Sequence, residues 1–272
     1  MKIQLLGTAA AATWPSIYSD SEYNRKIRAL GGKNIRSRSQ AIIDDKHVID
    51  WPSDSFYHSI KFDIDFSQIM DIFITHSHPD HWVPEEMEYI AQGCFAYNTK
   101  HSPLSIYGDK KVISDALKPI LGETNLFPML PYKSVVTKDG YKWTAIHAAH
   151  KPNEVALNYI IEHQGKTVLY RVDSGPYTDE VLWNFLKKFK FDCVITECTF
   201  NFHSEPHEDH ETYETVLQFR DRLMSQGSMT EDTQMWLTHI HYIKDGLTHE
   251  EAEEICKKDN IHLGYDGVVI LV

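Results

Sequence analysis

Residues 75–81 read Thr75-His76-Ser77-His78-Pro79-Asp80-His81 and place three imidazoles and one carboxylate within six residues. They follow the apolar run Ile69-Met70-Asp71-Ile72-Phe73-Ile74, which is typical of a buried strand. A neutral imidazole offers a nitrogen lone pair to zinc and similar metals, and a carboxylate compensates the metal charge. Four such groups at a strand end are costly to bury unless something neutralises and orients them. This stretch therefore predicts a metal site.

Single ligand candidates also stand at the ends of three later predicted strands, and they are His150, Asp173 and His239. Together with the first cluster they supply enough donors for two adjacent metals. The first predicted site has three nitrogen donors: His76, His78 and His150. The second has a carboxylate and two imidazoles: Asp80, His81 and His239. Asp173 would bridge the two metals, because each of its oxygens can serve one cation, and room remains for a bridging hydroxide.

The composition describes an ordinary globular chain. Of its 272 residues, 42% are hydrophobic and 24% are charged, and no repeat or low-complexity linker interrupts them. We therefore expect one domain over residues 1–272. The formal net charge of −12 argues against a nucleic-acid partner, because binding through phosphates needs a cationic surface. A small-molecule substrate fits better, and bound cations would still attract an anionic one.

The four cysteines lack CxxC spacing and lie in apolar segments: Cys94, Cys193, Cys198 and Cys256. Buried free thiols favour a reducing compartment, so we expect a cytoplasmic location. No run approaches the roughly 18 apolar residues of a membrane span, and no membrane association is expected. The sequence leaves the oligomeric state open, a homodimer included.

Short apolar runs alternate with helical segments, which predicts a layered α/β fold. The predicted strands are Ile3–Leu6, Gln40–Ile43, His47–Ile49, Ile69–Thr75, Leu104–Ile106, Thr144–Ala148, Leu157–Glu162, Thr167–Val172, Cys193–Glu197, Met235–Thr238 and Val268–Val272. The predicted helices are Val83–Gln92, Asp109–Leu121, Asp179–Phe189, Glu211–Gln226 and Thr248–Lys258, the last with a capping box. The least patterned stretch, Ser19–Ser39, is expected to be an excursion near the site. There Arg36 and Arg38 either touch an anionic substrate or belong to a solvated basic loop.

The order HxHxDH, then a single His, Asp and His, resembles the metallo-β-lactamase fold superfamily. The match runs from Leu6-Gly7-Thr8 through Ile49-Asp50 to Leu263-Gly264-Tyr265-Asp266-Gly267. It implies a four-layer αββα sandwich and a binuclear metal-dependent hydrolase with two divalent cations, zinc in first place and manganese in second. Thr238-His239-Ile240-His241, the helix start at Asp209–Thr212 and the final Gly-Tyr-Asp-Gly look most like one branch. That branch contains the phosphonate-pathway phosphodiesterase that opens cyclic ribose phosphates.

Members of that branch carry a structural zinc. A Cys cluster after the first strand holds it, together with a His three positions beyond the late metal-binding His. Here the loop reads Tyr18-Ser19-Asp20-Ser21-Glu22-Tyr23-Asn24, and Tyr242 stands at the His position. The Cys cluster and the His are both missing, so no structural zinc is expected. The substrate of that branch therefore cannot be assigned to this chain from the resemblance alone.

The resemblance also suggests catalytic roles. A hydroxide formed between the metals would attack phosphorus in line, with Asp80 holding one of the cations. His210 matches the branch's non-ligand active-site His and is the candidate proton donor to the departing alkoxide, unless it is a surface residue of a charged run. His241 is the second candidate, or it supports His239. Asp50 either orients a ligand imidazole or is an exposed turn residue.

The predicted function is hydrolysis of a small cyclic or nucleotide-like phosphodiester. A tRNA 3′-processing endonuclease would use the same chemistry, although the acidic charge and the lack of a basic arm oppose it. A thioester or lactam hydrolase would direct the same hydroxide at carbon. In a non-hydrolytic alternative the fold holds iron for oxygen or redox chemistry, or serves as a binding protein in a cofactor pathway.

Overall fold

The computed structural model describes residues 1–91, 95–97, 99–101, 103–116, 123–150, 154–202, 205, 207–241 and 246–272. Within these residues the chain forms two sheets of seven strands each. The first contains β1 (Lys2–Gly7), β2 (Gln40–Ile43), β3 (His47–Ile49), β4 (Asp71–Phe73), β5 (Leu104–Gly108), β6 (Thr124–Pro128) and β14 (Val269–Leu271). The second contains β7 (Ser134–Val136), β8 (Lys142–His147), β9 (Leu157–His163), β10 (Lys166–Arg171), β11 (Cys193–Glu197), β12 (Gln234–Thr238) and β13 (His262–Leu263). The spatial orders are β14-β1-β2-β3-β4-β5-β6 and β13-β12-β11-β10-β9-β8-β7.

Helices cover the outer face of each sheet. The α-helices of the described segments are α1 (Glu22–Leu30), α2 (Ser55–Phe62), α3 (Met87–Ile90), α4 (Lys110–Ala116), α5 (Glu180–Leu186), α6 (Tyr213–Ser225) and α7 (His249–Lys258). Side chains of α1, α5, α6 and α7 pack against the second sheet, and those of α2, α3 and α4 against the first.

Alternating side chains on the strands separate three cores, because successive residues of a strand face opposite sides of the sheet. On β10, Val168 and Tyr170 belong to the core between the sheets, whereas Leu169 belongs to the core under the helices. The layers therefore run helix, sheet, sheet, helix. The predicted αββα sandwich is confirmed.

The structure adds elements that the sequence pattern does not predict: α1, α2, β6, β7 and β13. Helix α1 lies inside Ser19–Ser39, which is therefore not an unpatterned excursion. Tyr23, Ile27 and Leu30 recur at helical spacing among charged residues, and the start of the helix is set by Ser21, whose side chain accepts a hydrogen bond from Asn24 N. Strand β6 is half-exposed and β7 is mostly exposed, so neither shows a buried apolar run.

Several expectations reach beyond the described residues. The ends of the predicted helices Val83–Gln92 and Asp109–Leu121 lie there, as do Cys94 and Tyr242. Cys193, Cys198 and Cys256 are buried free thiols, as predicted. In the described part of the chain, no helix has the length and apolar character needed to cross a bilayer.

The core between the sheets can be tested at Phe73. Its ring stacks on Trp143 across the two sheets, with centroids 3.7 Å apart, and both side chains are fully buried. Phe73→Ala should lower the free energy of unfolding by about 3–5 kcal/mol, because it leaves a cavity in this core. Urea denaturation measures the loss. The matched control is Phe56→Ala, at a ring that is 75% exposed, where we expect a change within about 0.5 kcal/mol. Equal losses in the two variants would contradict this account of the core.

Candidate metal centre

The ligand candidates come together at one edge of the two sheets. Four of them follow a strand within three residues: His76, His150, Asp173 and His239. Asp50, Asp173 and His239 have φ angles of 65°, 43° and 54°. Residues other than glycine rarely adopt this left-handed region, and such backbone is concentrated at functional sites. The chain thus turns sharply at these strand ends, where the polar side chains converge.

Asp173 lies at the middle of the cluster. Its Oδ2 is 2.7 Å from His81 Nε2, 3.2 Å from His76 Nε2 and 3.4 Å from His239 Nε2. Asp80 Oδ2 is 3.4 Å from His81 Nε2 and 3.9 Å from His239 Nε2. The Asp173 carboxylate therefore contacts imidazoles of both predicted donor sets, which is the arrangement expected of a bridging ligand.

The three-nitrogen set meets Asp173 through His76. His150 Nε2 lies 3.3 Å from His78 Nδ1, and the His76 and His150 rings are 5.1 Å apart between centroids. His76 Nε2 is buried and makes no hydrogen bond of acceptable geometry. A buried nitrogen without a hydrogen bond is costly, and a metal would satisfy it.

Hydrogen bonds behind the rings decide which nitrogens face inward. Asp50 Oδ2 lies 2.6 Å from His81 Nδ1, so this ring donates its Nδ1 proton to the buried carboxylate. The Thr75 hydroxyl donates to Asp50 and accepts from His76 Nδ1 at 3.1 Å. His239 Nδ1 lies 2.8 Å from the Thr199 hydroxyl. In all three imidazoles Nε2 is left to point into the cluster, which is how outer partners orient metal-binding histidines.

The charges of the cluster suit a cation. Burial lowers the pKa of His76 well below the usual histidine value, so this ring is neutral and its Nε2 lone pair is available. Burial also lowers the pKa of His81, but Asp50, Asp80 and Asp173 outweigh it and raise that pKa well above the usual value. A proton on His81 thus supplies positive charge that a metal would otherwise bring. Two divalent cations fit this set of imidazole and carboxylate donors.

An open cleft of about 260 Å³ lies beside the donors. Its lining combines ligand candidates with small and aromatic side chains: Ala10, Ala11, His78, Asp80, His150, Asp173, Thr199, Phe200, His210, His239 and His241. A solvent-open cleft over a set of metal donors leaves space for a substrate or water, as catalytic metal sites require.

The two expected non-ligand histidines both line this cleft. His210 Nδ1 is 3.3 Å from Glu197 Oε2 and 3.3 Å from Asp173 Oδ1. It precedes Thr212, the N-cap of α6, by two residues, so the helix starts later than the predicted Glu211. The backbone N–H of His241 donates to Thr199 O at 3.0 Å, and its ring stays near the cleft.

The structure does not bring Arg36 and Arg38 to the cleft. Arg36 is 1% exposed and donates to the Thr8 hydroxyl, to Gly264 O and to His249 Nδ1. Arg38 pairs with Asp54 at 3.3 Å. Both guanidinium groups are engaged in holding neighbouring segments together, so their positions do not support the expected contact with an anionic substrate.

Three residues near the donors are not predicted from the sequence: Glu154, Glu197 and Thr199. Glu197 is the last residue of β11, so the strand-end argument that identified His150 could have found it. Thr199 follows two residues later. Glu154 contacts His78 from the segment before β9, and no motif or strand end marks it.

Comparison with protein-family models shows the superfamily of the chain. A family model described as the beta-lactamase superfamily domain matches residues 56–240. The chain belongs to this superfamily. The resemblance inferred from HxHxDH is confirmed, and a metal-dependent hydrolase is the activity class that superfamily membership and the clustered donors support.

Several solved structures share the fold at low identity. A diphosphatase of the PhnP family is 18% identical with a TM-score of 0.77, covering 100% of this chain and 97% of the other. Zn²⁺-bound PqqB from Methylobacterium extorquens is 12% identical with a TM-score of 0.77, covering 100% of both chains. The short form of human tRNase Z is 16% identical with a TM-score of 0.64, covering 100% and 99%. No curated protein sequence matches the chain.

The support that Asp50 gives to His81 can be tested by Asp50→Asn. Asparagine tolerates the φ of 65° but lacks the charge that holds the His81 Nδ1 proton. We expect the affinity for Zn²⁺ to fall about 10- to 100-fold, measured by competition with a chromophoric chelator. Asp45→Asn is the matched control, since Asp45 also has a positive φ, of 58°, but pairs with Lys2 at the surface. An unchanged affinity in Asp50→Asn would rule out this supporting role.

Proposed function

We propose that the protein is a metal-dependent phosphodiesterase that acts on a small cyclic or nucleotide-like phosphodiester. The observation that carries the proposal is the pair of donor sets joined by Asp173, with His210 beside them on the wall of one cleft. Two adjacent cations suit a phosphodiester, because they can hold attacking and leaving oxygens of an in-line displacement.

The proposed donors of the first site are His76, His78 and His150. Those of the second are Asp80, His81 and His239, with Asp173 shared between the two. When bound there, zinc or manganese supplies Lewis acidity and lowers the pKa of a coordinated water from about 15.7 towards roughly 7. The chain's own part is to hold the rings through Asp50, Thr75 and Thr199.

His210 is the proposed proton donor to the leaving oxygen. Burial lowers its pKa, but the hydrogen bond and charge of Glu197 outweigh this effect and raise the pKa to about 9. In the metal-free protein the ring therefore carries a proton at neutral pH. Its Nδ1 faces Glu197, so Nε2 is the atom that would deliver the proton. Burial lowers the pKa of His241, so less of this second candidate carries a proton at neutral pH and it is the less suitable proton donor.

The cleft favours a small substrate. A volume of about 260 Å³ admits one phosphodiester group with a compact substituent. The small side chains of Ala10 and Ala11 take up little of the space along one wall. The net charge of −12 opposes a long nucleic acid, since each phosphate contact of such a ligand needs a compensating cation. A nucleic-acid substrate is therefore the less favoured one.

A panel of substrates tests the proposal. Metal-loaded protein is assayed on bis(p-nitrophenyl) phosphate, a cyclic ribose phosphate, a precursor tRNA, a thioester and a lactam. We expect turnover of the two small diesters. Asp80→Ala should reduce it to background because a ligand is lost, and His210→Ala should reduce it about 10²- to 10⁴-fold because the leaving oxygen loses its acid.

Matched controls keep these variants interpretable. His262→Ala removes an exposed imidazole that stacks on Trp236 away from the cleft, and Asp45→Ala removes a surface carboxylate. Both should turn over at the rate of the unaltered protein. Full phosphodiesterase activity in Asp80→Ala would refute the two-metal site, and cleavage of only the tRNA, the thioester or the lactam would refute the substrate class.

A further inference from the structure

His78 differs from the other imidazoles of the cluster in the nitrogen that it turns inward. The four other imidazoles of the cluster present Nε2: His76, His81, His150 and His239. His78 presents Nδ1, which lies 3.3 Å from His150 Nε2. A neutral imidazole can offer Nδ1 to a metal only if its proton sits on Nε2.

Glu154 is placed to keep the proton there. Its Oε1 lies 3.1 Å from His78 Nε2, and its side chain is 3% exposed. Its Oε2 accepts hydrogen bonds from the backbone N–H of Ser77 at 3.1 Å and from the Ser77 hydroxyl at 2.6 Å. One carboxylate therefore holds both the ring of His78 and the backbone that carries it, although the His78 side chain itself is 30% exposed.

The two donor sets differ in how much negative charge supports them. The set of His81 and His239 includes the carboxylate of Asp80, and the fully buried Asp50 lies directly behind His81. The three-nitrogen set has only imidazole donors of its own and shares Asp173. Across the described ranges, Glu154 is the one carboxylate within 4.0 Å of a ring nitrogen of His78.

His150 contributes to the same asymmetry. Its Nδ1 is buried and makes no hydrogen bond of acceptable geometry with the described residues, although the backbone of Asp209 interacts with this ring. The three-nitrogen set thus relies on Thr75 behind His76 and on Glu154 behind His78. Outer partners of metal-binding rings commonly change affinity about 10- to 100-fold. Each set has two side chains of this kind, so the lack of a carboxylate such as Asp80 among its own donors is what should make the three-nitrogen set bind more weakly.

We propose that Glu154 is a positioning residue that fixes the Nε2–H tautomer of His78, and that it decides whether the weaker, three-nitrogen site holds a metal. The inference rests on the proposed two-metal site. It adds that the two cations bind with unequal affinity, so that the protein has a state with one metal in the set of Asp80, His81 and His239.

The experiment is a titration of metal-depleted protein with Zn²⁺, followed by calorimetry, and with Co²⁺, followed by its visible absorption. The unaltered protein should show two binding steps. In Glu154→Gln, which keeps the size of the side chain and loses its charge, the weaker step should lose about 10- to 100-fold in affinity, and the tighter step should stay within a factor of about two. Glu162→Gln is the matched control, since Glu162 pairs with Lys142 at the other end of β9.

A second measurement needs no metal. Nitrogen-15 NMR of the histidine rings in the metal-depleted protein should show the Nε2–H tautomer for His78, and a mixture of both tautomers in Glu154→Gln. Thermal unfolding of the same two proteins shows whether the variant folds. If Glu154→Gln does not fold, Glu154→Asp replaces it, because the shorter side chain keeps the charge and withdraws it from His78.

The outcomes separate this inference from the proposed function. Unchanged affinities and tautomer in a folded variant would overturn the role of Glu154, while turnover of diesters by the unaltered protein would leave the phosphodiesterase proposal standing. Two equal binding steps in the unaltered protein would overturn the asymmetry. Loss of the tighter step in Glu154→Gln would also overturn it, because the residue would then act on the wrong set.

Discussion

The rest of the centre depends on the Asp173 carboxylate. Its Oδ2 lies within 3.4 Å of imidazole nitrogens from His76, His81 and His239, and its Oδ1 lies 3.3 Å from His210 Nδ1. Burial raises the pKa of this carboxyl, yet the imidazoles of His239 and His81 hold it well below the usual range. A buried carboxylate is costly unless positive charge accompanies it. A bound cation would meet that need, so the charge balance of the cluster suits a metal.

Asp173 and the imidazoles around it come from both sheets. His76 and His81 follow β4 of the first sheet, whereas Asp173 follows β10 of the second. The distance between these groups is therefore set by the core between the sheets. Phe73, which stacks on Trp143 in that core, stands three residues before His76. Packing at the sheet interface and geometry at the cluster are linked through that short segment of chain.

Much of the fold and of the donor set is predictable from the sequence, because both depend on local patterns. Buried strands are apolar, and a charged or imidazole side chain directly after one is conspicuous, as His150 and Asp173 are. Glu154 is different, because it lies in no motif and its role arises only from the chain crossing back to His78. The position of Arg36 is also set by contacts between distant parts of the chain, so the local sequence predicts it wrongly. A basic residue among Gly and Ser suggests solvent, but tertiary contacts with Thr8, Gly264 and His249 bury it.

The wall of the cleft is attached to the strand end that presents His239. Ala10 N donates to Ile240 O at 3.1 Å, and Ile240 N donates to Thr8 O at 2.9 Å, so the segment after β1 pairs with the residue that follows His239. Further along, the Asn24 amide holds the loop by donating to Ser16 O and Ser19 O. Side-chain hydrogen bonds thus hold this loop. Because this loop is continuous with Ala10, it connects directly to the backbone pairing that holds the strand end of His239.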